Sequence, residues 1–469
     1  MITKKTKIVC TIGPASANYE TLKKLAQSGM DVARLNFSHG THEIHGEVIK
    51  NVRKISQELN KPIALLADLQ GPKLRLGIID GKREIKKGET IYLSTHPEED
   101  QLPMQFDLSP FVKKNQRIFL NDGLVELKVL DVHGRVIKTQ AQNSGVTSSN
   151  KGVNVPDTRV REGVFTEKDR DDAEFAISQN VDYIALSFVQ TADDLKPLKN
   201  MLKKHNSTIK TMVKIEKREA LENLEEIFKV VDAIMIARGD LAIEIPFAEV
   251  PIYQQKMMKL ARQYQKPVIV ATQMLESMTE NPRPTRAEAS DVGNAVLDQT
   301  DAVMLSAESA AGKYPVETVQ AMAEIIRSVE QHPDYSQYIK IDWQNIAKEN
   351  LSFSAITSSA ASLAYRIDAK AIIVATRTGR TARLLSSFRP SAPIIAFTDD
   401  PTTYTRLSLV WGVQQLLMPQ ATTNEALIKN IIASLNEGKI TKKGDQIVVV
   451  TGQEVGVTGS TDTIRVITI

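Results

Sequence analysis

The pattern of hydrophobic and polar positions over the first 71 residues alternates between two periods. Short, continuous apolar runs predict buried strands at residues 7–12, 32–37 and 63–69. Apolar residues three and four positions apart predict helices at residues 19–28 and 41–59. Three strands separated by two helices indicate parallel βα units, in which each helix packs back onto the sheet.

The pattern changes between residues 72 and 166. Short runs of alternating polarity, separated by glycine turns and by Asn121-Asp122-Gly123, predict a small antiparallel β domain inserted between two βα units. The βα rhythm resumes near Phe165 with five further strand-like runs, and helices are predicted at residues 167–179, 193–205, 218–230, 251–264, 286–297 and 316–330. Three strands before the insertion and five after it predict a (β/α)8 TIM barrel.

The last part of the chain predicts a third unit, a C-terminal α/β domain with a mostly parallel sheet. Its helices and strands alternate from residue 345 onwards, after a stretch at residues 332–343 that is typical of a linker. The predicted domains are therefore a barrel at residues 1–71 and 167–340, an inserted β domain at 72–166, and a C-terminal α/β domain at 345–469.

Composition narrows the class of protein. The chain has 469 residues, of which 42% are hydrophobic and 25% charged, so a disordered or collagen-like chain is excluded. A formal net charge of +3 is too small for a general nucleic-acid binder, and no apolar run approaches the ~18 residues of a membrane span. A single cysteine, Cys10, fits a reducing cytoplasm, and it is either a nucleophile or a small buried residue at the end of a strand.

Charged and hydroxyl side chains collect where the predicted barrel strands end, which is where barrel enzymes place their active sites. They are Arg34, Asn36, Ser38, His39, Asp68, Lys73, Arg75, Lys214, Glu216, Arg238, Asp240, Thr272, Ser306 and Glu308. Any one of them could be a strand terminus or a helix cap. However, Lys214 and Glu216 point to the same side of one strand, and a buried ammonium is costly unless it meets an anion.

The residue types indicate the chemistry of this site. Arg34, Arg75 and Lys214 suit a phosphate group, while Glu216 and Asp240 suit a hard divalent cation such as Mg²⁺. The chain has neither a P-loop nor a GxGxxG turn after a strand, and it has no HExxH or CxxC pair for zinc or iron. The sequence therefore predicts a barrel enzyme that acts on a small phosphorylated or carboxylated anion with Mg²⁺.

At these residues the sequence resembles the pyruvate kinase family, over essentially the whole chain. The segments that carry the resemblance are KIVCTIGPAS, ARLNFSHGTHEIH, ADLQGPKLRLG, LNDGLVELKV, VKIEKREALENLEEI, DAIMIARGDLAIEIP, PVIVATQMLESM, PRPTRAEASDVGNAVLDQTDAVMLSAE and TGRTARLLSSFRP. The resemblance implies transfer of a phosphoryl group from phosphoenolpyruvate to ADP, giving pyruvate and ATP. It also implies a requirement for Mg²⁺ or Mn²⁺ and a homotetramer. By the same resemblance, the (β/α)8 barrel is catalytic, the inserted domain is a small β-barrel lid, and the C-terminal domain is regulatory.

The resemblance implies a role for each site residue. Arg34 contacts the substrate phosphate, Lys214 stabilises the transition state, and Glu216 and Asp240 bind Mg²⁺. Gly239, Asp240 and Thr272 hold the substrate carboxylate. The nucleotide side comprises Asn36, Ser38, His39, Arg75 and Lys168. The route of the proton to the enolate passes near Thr272, Ser306 and Glu308, and the donor among them stays open.

One departure from the family pattern concerns a monovalent cation. Many family members bind K⁺ through side chains at the positions of Asn36, Ser38, Asp68 and Leu69, and they carry Glu where this chain has Lys73. Leu69 supplies no side-chain oxygen, so Lys73 is interpreted as a built-in substitute for K⁺ that pairs with Asp68, as in the K⁺-independent branch of the family. The alternative is a solvated lysine at the lid hinge.

A turn in the C-terminal domain predicts a regulatory site. Arg377-Thr378-Gly379-Arg380-Thr381 lies between a strand and a helix, where backbone N–H groups bind phosphate, and the matching turn in the family binds the effector. The last loop, residues 452–459, contains Glu454 and no arginine, which favours a sugar monophosphate such as ribose 5-phosphate, or AMP, over a bisphosphate. A capped helix start with exposed arginines is the alternative.

Two other functions stay open at this stage. One is a Mg²⁺-dependent lyase or aldolase that acts on phosphoenolpyruvate or pyruvate, although such an enzyme needs no nucleotide lid. The other is a catalytically inactive phosphometabolite sensor, which the intact set of charged strand-end residues disfavours.

Overall fold

The computed structural model describes residues 4–160, 163–333, 335, 351–452 and 461–469. Most of the predicted linker at 332–343, and all but the first residue of the loop at 452–459 with its Glu454, lie outside the described residues.

The first half of the chain contains three barrel strands, the inserted domain, and the return to the barrel. Its elements are β1 (Lys7–Ile12), α1 (Tyr19–Ser28), β2 (Val32–Asn36), α2 (His42–Glu58), β3 (Ala64–Asp68), β4 (Lys82–Ile85), β5 (Thr90–Ser94), β6 (Gln101–Pro103), β7 (Arg117–Leu120), β8 (Val125–His133), β9 (Val136–Ala141), β10 (Gly145–Ser148), β11 (Val153–Asn154), α3 (Glu167–Ser178), β12 (Tyr183–Leu186), α4 (Lys196–Lys204) and β13 (Lys210–Ile215).

The second half completes the barrel and adds the C-terminal domain. Its elements are α5 (Arg218–Glu222), α6 (Leu224–Val230), β14 (Ala233–Ala237), α7 (Arg238–Glu244), α8 (Val250–Tyr264), β15 (Val268–Ala271), α9 (Arg286–Leu297), β16 (Ala302–Leu305), α10 (Ala307–Ala310), α11 (Pro315–Glu330), α12 (Leu351–Arg366), β17 (Ala371–Ala375), α13 (Arg380–Ser387), β18 (Ile394–Thr398), α14 (Pro401–Arg406), β19 (Val413–Leu417), α15 (Asn424–Glu437), β20 (Gln446–Gly452) and β21 (Thr461–Thr468).

Eight parallel strands close into the predicted barrel. Their order around it is β1, β16, β15, β14, β13, β12, β3 and β2. The strands bury both faces, because one face packs against the surrounding helices and the other fills the interior with side chains such as Val9, Leu66, Met235 and Ile269. The strand ends that carry the charged residues therefore share one rim.

The inserted segment forms a separate sheet domain, here called the lid. Six strands pair in the order β11, β7, β8, β9, β5 and β6, and β10 pairs with β4 in a two-stranded ribbon. The pairs are antiparallel except for β5 with β6. The lid has its own apolar core, which includes Leu93, Ile118 and Leu127, so it can move as a unit.

The C-terminal domain covers the end of the barrel opposite the charged rim. Its five strands follow the order β19, β18, β17, β20 and β21, and they are parallel except for β20 with β21. Leu409 packs with the side chains of the barrel interior, and the Tyr183 hydroxyl donates to the carbonyl of Arg406 at 3.0 Å. Buried Arg389 pairs with Asp301 at 3.0 Å.

Several elements differ from the prediction, among them three helical regions of the barrel. The helix predicted at 218–230 is two helices, α5 and α6, which are separated at Asn223. The helix predicted at 193–205 begins with a 3₁₀ turn at Ala192–Leu195 before α4. Two short helices were not predicted: α7 follows β14 directly, and α10 begins one residue after β16. They have seven and four residues, which is too few for a helical period to be recognised in the sequence.

Within the described part of the chain, no helix is long and apolar enough to cross a membrane. Cys10 lies fully buried in β1, and burial, more than the nearby Asp31, raises the pKa of its thiol far above the usual range. The thiol is therefore not an activated nucleophile, and the interpretation as a buried strand residue is confirmed.

Candidate active site

A buried cluster of opposite charges occupies the ends of β2, β3 and β13. The Arg34 guanidinium pairs with Asp68 at 2.7 Å and donates to the Thr11 hydroxyl at 2.8 Å. The Lys214 ammonium lies 2.8 Å from Glu216 and 3.4 Å from Asp68, and it donates to the Ser187 hydroxyl at 2.9 Å. The strand alternation predicted for Lys214 and Glu216 therefore brings both into one site.

The cluster holds its charges through mutual contact. Burial alone would raise the pKa of Asp68, but Lys214 and Arg34 outweigh it and hold the pKa below the usual range. Burial would likewise lower the pKa of Lys214, yet Asp68 and Glu216 raise it above its usual range. Lys214 is therefore a permanent cation at neutral pH, suited to stabilising a developing negative charge and unsuited to acting as a base.

Glu216 and Asp240 form the part of the site that fits a divalent cation. Glu216 is buried and its Oε2 accepts from the Phe188 N–H at 2.8 Å. Burial and the neighbouring Asp240 raise the pKa of Glu216, against the effect of Lys214. Two carboxylates that disfavour each other's charge are suited to a shared cation, although the described residues include no cluster of three or more His, Cys, Asp or Glu for a closed metal site.

Thr272 is held in a backbone conformation that β-branched residues rarely adopt. Its φ is 68° and that of Gln273 is 55°, so the chain after β15 carries two successive left-handed residues. The Thr272 hydroxyl accepts from the Gly239 N–H at 2.8 Å and donates to the carbonyl of Ala271 at 2.6 Å. Thr272 is thereby fixed beside the start of α7.

Arg238 stabilises this strained turn, and sequence reasoning assigned it no role. Its guanidinium donates to the carbonyl of Thr272 at 2.8 Å and pairs with Asp291 at 2.7 Å. The signal available in the sequence was its position at the end of β14, immediately before Gly239 and Asp240.

Glu308 ties the loops that follow β15 and β16 together. Its carboxylate is 2% exposed and accepts from the backbone N–H groups of Ser306 at 2.7 Å and Leu275 at 3.2 Å. Burial raises the pKa of Glu308 despite these hydrogen bonds. Glu308 can therefore hold a proton closer to neutrality than an exposed carboxyl can.

The loop after β2 is tied to the start of α3. Lys168 donates to the carbonyl of Phe37 at 2.8 Å and pairs with Asp172 at 2.6 Å. His42 contacts the other oxygen of Asp172 at 2.8 Å and stacks on Phe175 with 4.4 Å between ring centroids. Asp172 and His42 were missed in the sequence because helical spacing alone gives them no chemical role.

The remaining residues predicted on the nucleotide side lie around this loop and the lid. Asn36 accepts from the Ser38 N–H at 3.2 Å. Burial, then Arg75, Arg34 and Lys73, lower the pKa of His39, so these cations share its surroundings. Arg75 donates to the carbonyl of Asn150 in the lid at 3.0 Å.

Comparison with known proteins decides the family. The barrel-domain family of pyruvate kinase matches residues 3–319, and its alpha/beta-domain family matches residues 354–467. The chain belongs to the pyruvate kinase family. It is 43% identical to a pyruvate kinase of Staphylococcus aureus strain MRSA252, with 99% of this chain and 80% of that protein covered.

Other matches agree with this membership. A pyruvate kinase of Staphylococcus aureus strain USA300 is 42% identical over 99% of this chain and 80% of that protein. The crystal structure of a pyruvate kinase from Cryptosporidium parvum is similar with a TM-score of 0.93, 34% identity, and 99% and 96% of the two chains covered. The pyruvate kinase family therefore makes this chain a phosphotransferase, and the lyase and inactive-sensor interpretations lose their support.

The pairing predicted for Lys73 within the pyruvate kinase site is wrong. Arg34 and Lys214 occupy both oxygens of Asp68, which is fully buried. Lys73 instead lies 3.2 Å from Asp122 of the lid and 3.9 Å from Asp240. A residue five positions after the end of β3 has already left the barrel interior, so its ammonium meets carboxylates of the rim and the lid.

The turn that resembles the effector site of pyruvate kinases opens α13. Gly379 has a φ of 75° and its N–H donates to the Thr376 hydroxyl at 3.0 Å, while the Thr381 and Thr461 hydroxyls lie 2.8 Å apart. Arg377 and Thr378 are exposed, whereas the Arg380 guanidinium lies over the Phe353 ring at 4.3 Å. An exposed Arg377 and a left-handed Gly379 fit a phosphate-binding helix start and equally fit the alternative of a helix start with exposed arginines, so the effector site stays a prediction.

Proposed function

We propose that this chain transfers the phosphoryl group of phosphoenolpyruvate to ADP, giving pyruvate and ATP, at the rim formed by β2, β3, β13, β14, β15 and β16. The observation that carries the proposal is the Lys214 ammonium, buried between Glu216 and Asp68 with Arg34 on the far side of Asp68. Two fixed cations next to two carboxylates match a phosphate and the metal ion that neutralises it.

The substrate's two anionic groups meet different parts of the rim. Arg34 and Lys214 bind the phosphate, because they present a guanidinium fork and a point charge beside Asp68. Glu216 and Asp240 hold Mg²⁺ or Mn²⁺, which neutralises negative charge on the transferring group. Gly239 and Asp240, at the start of α7, and Thr272 hold the carboxylate, and the hydrogen bond from the Gly239 N–H to the Thr272 hydroxyl keeps these residues adjacent.

ADP approaches from the loop after β2 and from the lid. Asn36, Ser38, His39, Arg75 and Lys168 contact the nucleotide. Lys168 remains half exposed although it pairs with Asp172, so its ammonium can reach a diphosphate. The lid then covers the site and excludes water, which protects the transferred group from hydrolysis.

The enolate formed by the transfer receives a proton at carbon. Thr272, Ser306 and Glu308 line the route. The raised pKa of Glu308 makes it a proton reservoir behind Ser306, whose N–H it binds at 2.7 Å.

Lys73 replaces a monovalent cation in this proposal. Its ammonium lies at the rim between Asp122 and Asp240 rather than beside Asp68, while Asn36, Ser38 and Asp68 remain as the alternative K⁺ site. The test is pyruvate formation from phosphoenolpyruvate and ADP with Mg²⁺ in K⁺-free buffer. Full activity there, together with a K⁺ requirement in Lys73→Glu, supports the proposal; a wild type that needs K⁺ overturns the role of Lys73 and keeps the kinase.

A sugar monophosphate such as ribose 5-phosphate, or AMP, binds at Arg377, Thr378, Gly379, Arg380 and Thr381 and activates the enzyme. The protein acts as a homotetramer in the cytoplasm, where glycolysis takes place. Ribose 5-phosphate should raise the rate at subsaturating phosphoenolpyruvate, and Arg377→Gln should remove that increase without changing the basal rate. If ribose 5-phosphate raises the rate of Arg377→Gln as much as that of wild type, the effector binds at a different site.

A further inference from the structure

The lid contacts the barrel next to the proposed metal ligand through an exposed turn, Asn121-Asp122-Gly123. Asn121 and Asp122 both have a φ of 53° and Gly123 has a φ of 91°, and the Asp122 side chain is exposed. A Cβ on Gly123 would lie 3.5 Å from Ile243, which belongs to α7, the helix that also carries Asp240. The turn therefore lies against the element that positions Asp240.

Lys73 lies between the two carboxylates. Its ammonium is 3.2 Å from Asp122 and 3.9 Å from Asp240, so it contacts the lid more closely than the barrel. Gly152 leaves room for this arrangement, because a Cβ there would lie 2.9 Å from the Asp122 carboxylate and 3.0 Å from the Lys73 Cε. The side chain of Lys73 has an exposed fraction of 24%, and its charge is therefore only partly screened by water.

A cation this close to Asp240 opposes a second cation on the same carboxylate. An ammonium and a divalent ion a few ångströms apart repel each other, and they do so more strongly at a partly buried rim than in water. A divalent ion on Asp240 therefore binds better when Lys73 has another carboxylate to pair with.

We propose that Asp122 is a positioning residue that draws Lys73 away from Asp240 and so leaves that carboxylate available to the divalent cation. The proposal rests on the metal role of Asp240 given above, and it deepens that role. It makes the lid turn part of the metal site although no lid residue ligates the ion.

The test measures Mn²⁺ binding by the free protein, from the electron paramagnetic resonance signal of unbound Mn²⁺, without substrates and without K⁺. Asp122→Asn should weaken Mn²⁺ binding about two- to fivefold, the range of an exposed ion pair. Lys73→Met should tighten binding. In the Lys73→Met background, Asp122→Asn should have no further effect, because there is no ammonium left to redirect.

The double variant separates this account from a simple loss of negative charge. An equal weakening by Asp122→Asn with and without Lys73 would overturn the proposal, because the field of Asp122 would then act on the ion directly. Asp131→Asn is the matched control, since it removes the same charge from an exposed lid position that pairs with His133, and it should leave binding unchanged.

Asp240→Asn separates the metal role of Asp240 from the positioning role of Asp122. It should abolish Mn²⁺ binding at this site. Unchanged binding in Asp240→Asn would overturn the metal assignment together with this proposal. Lost binding in Asp240→Asn, with no effect of Asp122→Asn, would overturn this proposal alone.

Discussion

At the scale of single residues, the site depends on one strained backbone position. Thr272 keeps a left-handed φ of 68° because its hydroxyl and its carbonyl are both engaged, by Gly239 and by Arg238. A β-branched side chain in this region costs of order 1–3 kcal/mol. This conformation places the Thr272 hydroxyl next to Gly239, where the substrate carboxylate is proposed to bind.

Two substitutions at Thr272 separate strain from function. Thr272→Ala keeps the Cβ and the strain but removes the hydroxyl, whereas Thr272→Gly removes both. Thr272→Gly should therefore be more stable than Thr272→Ala by about 1 kcal/mol, although both lose most of their turnover. Urea unfolding of the two variants measures the difference, and a more stable Thr272→Ala would contradict the claim of strain.

The sequence indicated Thr272 as a strand-end residue but could not indicate its conformation. The left-handed turn is stabilised by Arg238, which lies 34 positions earlier in the chain. Arg238 follows β14 and donates to the Thr272 carbonyl at the end of the neighbouring strand β15. Long-range contacts of this kind leave no local periodicity. The same reason explains why the predicted pairing of Lys73 with Asp68 is wrong. That pairing was inferred from closeness in sequence, whereas Asp68 pairs with Lys214, which is distant in sequence, and Lys73 contacts Asp122.

At the scale of elements, α3 connects two barrel loops with its first turns. Thr166 and Asp169 form a capping box that starts the helix, and Asp169 also accepts from the Gly71 N–H at 2.9 Å. Lys168, which pairs with Asp172 one turn later in the helix, donates to the carbonyl of Phe37. The start of α3 therefore sets the relative position of the loops after β2 and β3.

Removing the charge of Asp172 should weaken the binding of ADP more than the binding of phosphoenolpyruvate. Asp172→Asn should raise the KM for ADP about tenfold, or about 1.4 kcal/mol, because Lys168 loses the partner that orients it. The KM for phosphoenolpyruvate should stay within twofold. Steady-state kinetics in the Lys168→Gln background provides the control, where Asp172→Asn should add nothing. A parallel rise of both KM values would indicate general disruption of the barrel rim instead.

The barrel could be predicted at this scale because its strands are continuous apolar runs. Several of the helices between them are long enough to show an amphipathic period, such as α1 with 10 residues and α2 with 17. The short helices α7 and α10 could not, because one or two turns show no amphipathic period. They begin directly at the active-site rim, so the part of the fold that was hardest to predict carries Gly239, Asp240 and Glu308.

At the scale of the whole molecule, the barrel and the C-terminal domain share buried titratable groups. Asp182, at the start of β12, accepts from the Thr405 hydroxyl at 2.6 Å and from the Leu65 N–H at 2.8 Å. Burial raises the pKa of Asp182 to about 6, and these hydrogen bonds only partly oppose it. The interface therefore holds a carboxyl that binds a proton more tightly in the folded protein than in the unfolded chain.

This shift predicts a pH dependence of stability. Because the pKa is raised on folding, ionisation of Asp182 destabilises the folded state as the pH rises from about 4 through about 6, by about 3 kcal/mol at neutral pH. Asp182→Asn removes that component. The stability of the variant relative to wild type should increase between pH 4.5 and pH 7.5, measured by urea unfolding, and a pH-independent difference would show that Asp182 ionises normally.

The arrangement of the three domains was only partly accessible from sequence. An interrupted βα rhythm located the lid, and the change of rhythm after residue 330 located the C-terminal domain. Nothing in the local pattern indicated that Leu409 would close the barrel interior or that Arg389 would pair with Asp301. These contacts join distant segments, and they hold the C-terminal domain against the end of the barrel opposite the charged rim.

The most direct test of the account is single-turnover phosphoryl transfer by Lys214→Met, with phosphoenolpyruvate binding measured separately. Lys214 is proposed to stabilise the charge that develops during transfer, so the variant should bind phosphoenolpyruvate within about tenfold of wild type but form ATP at least about a thousandfold more slowly. ATP formation at the wild-type rate would contradict the central role given to the buried ammonium between Asp68 and Glu216.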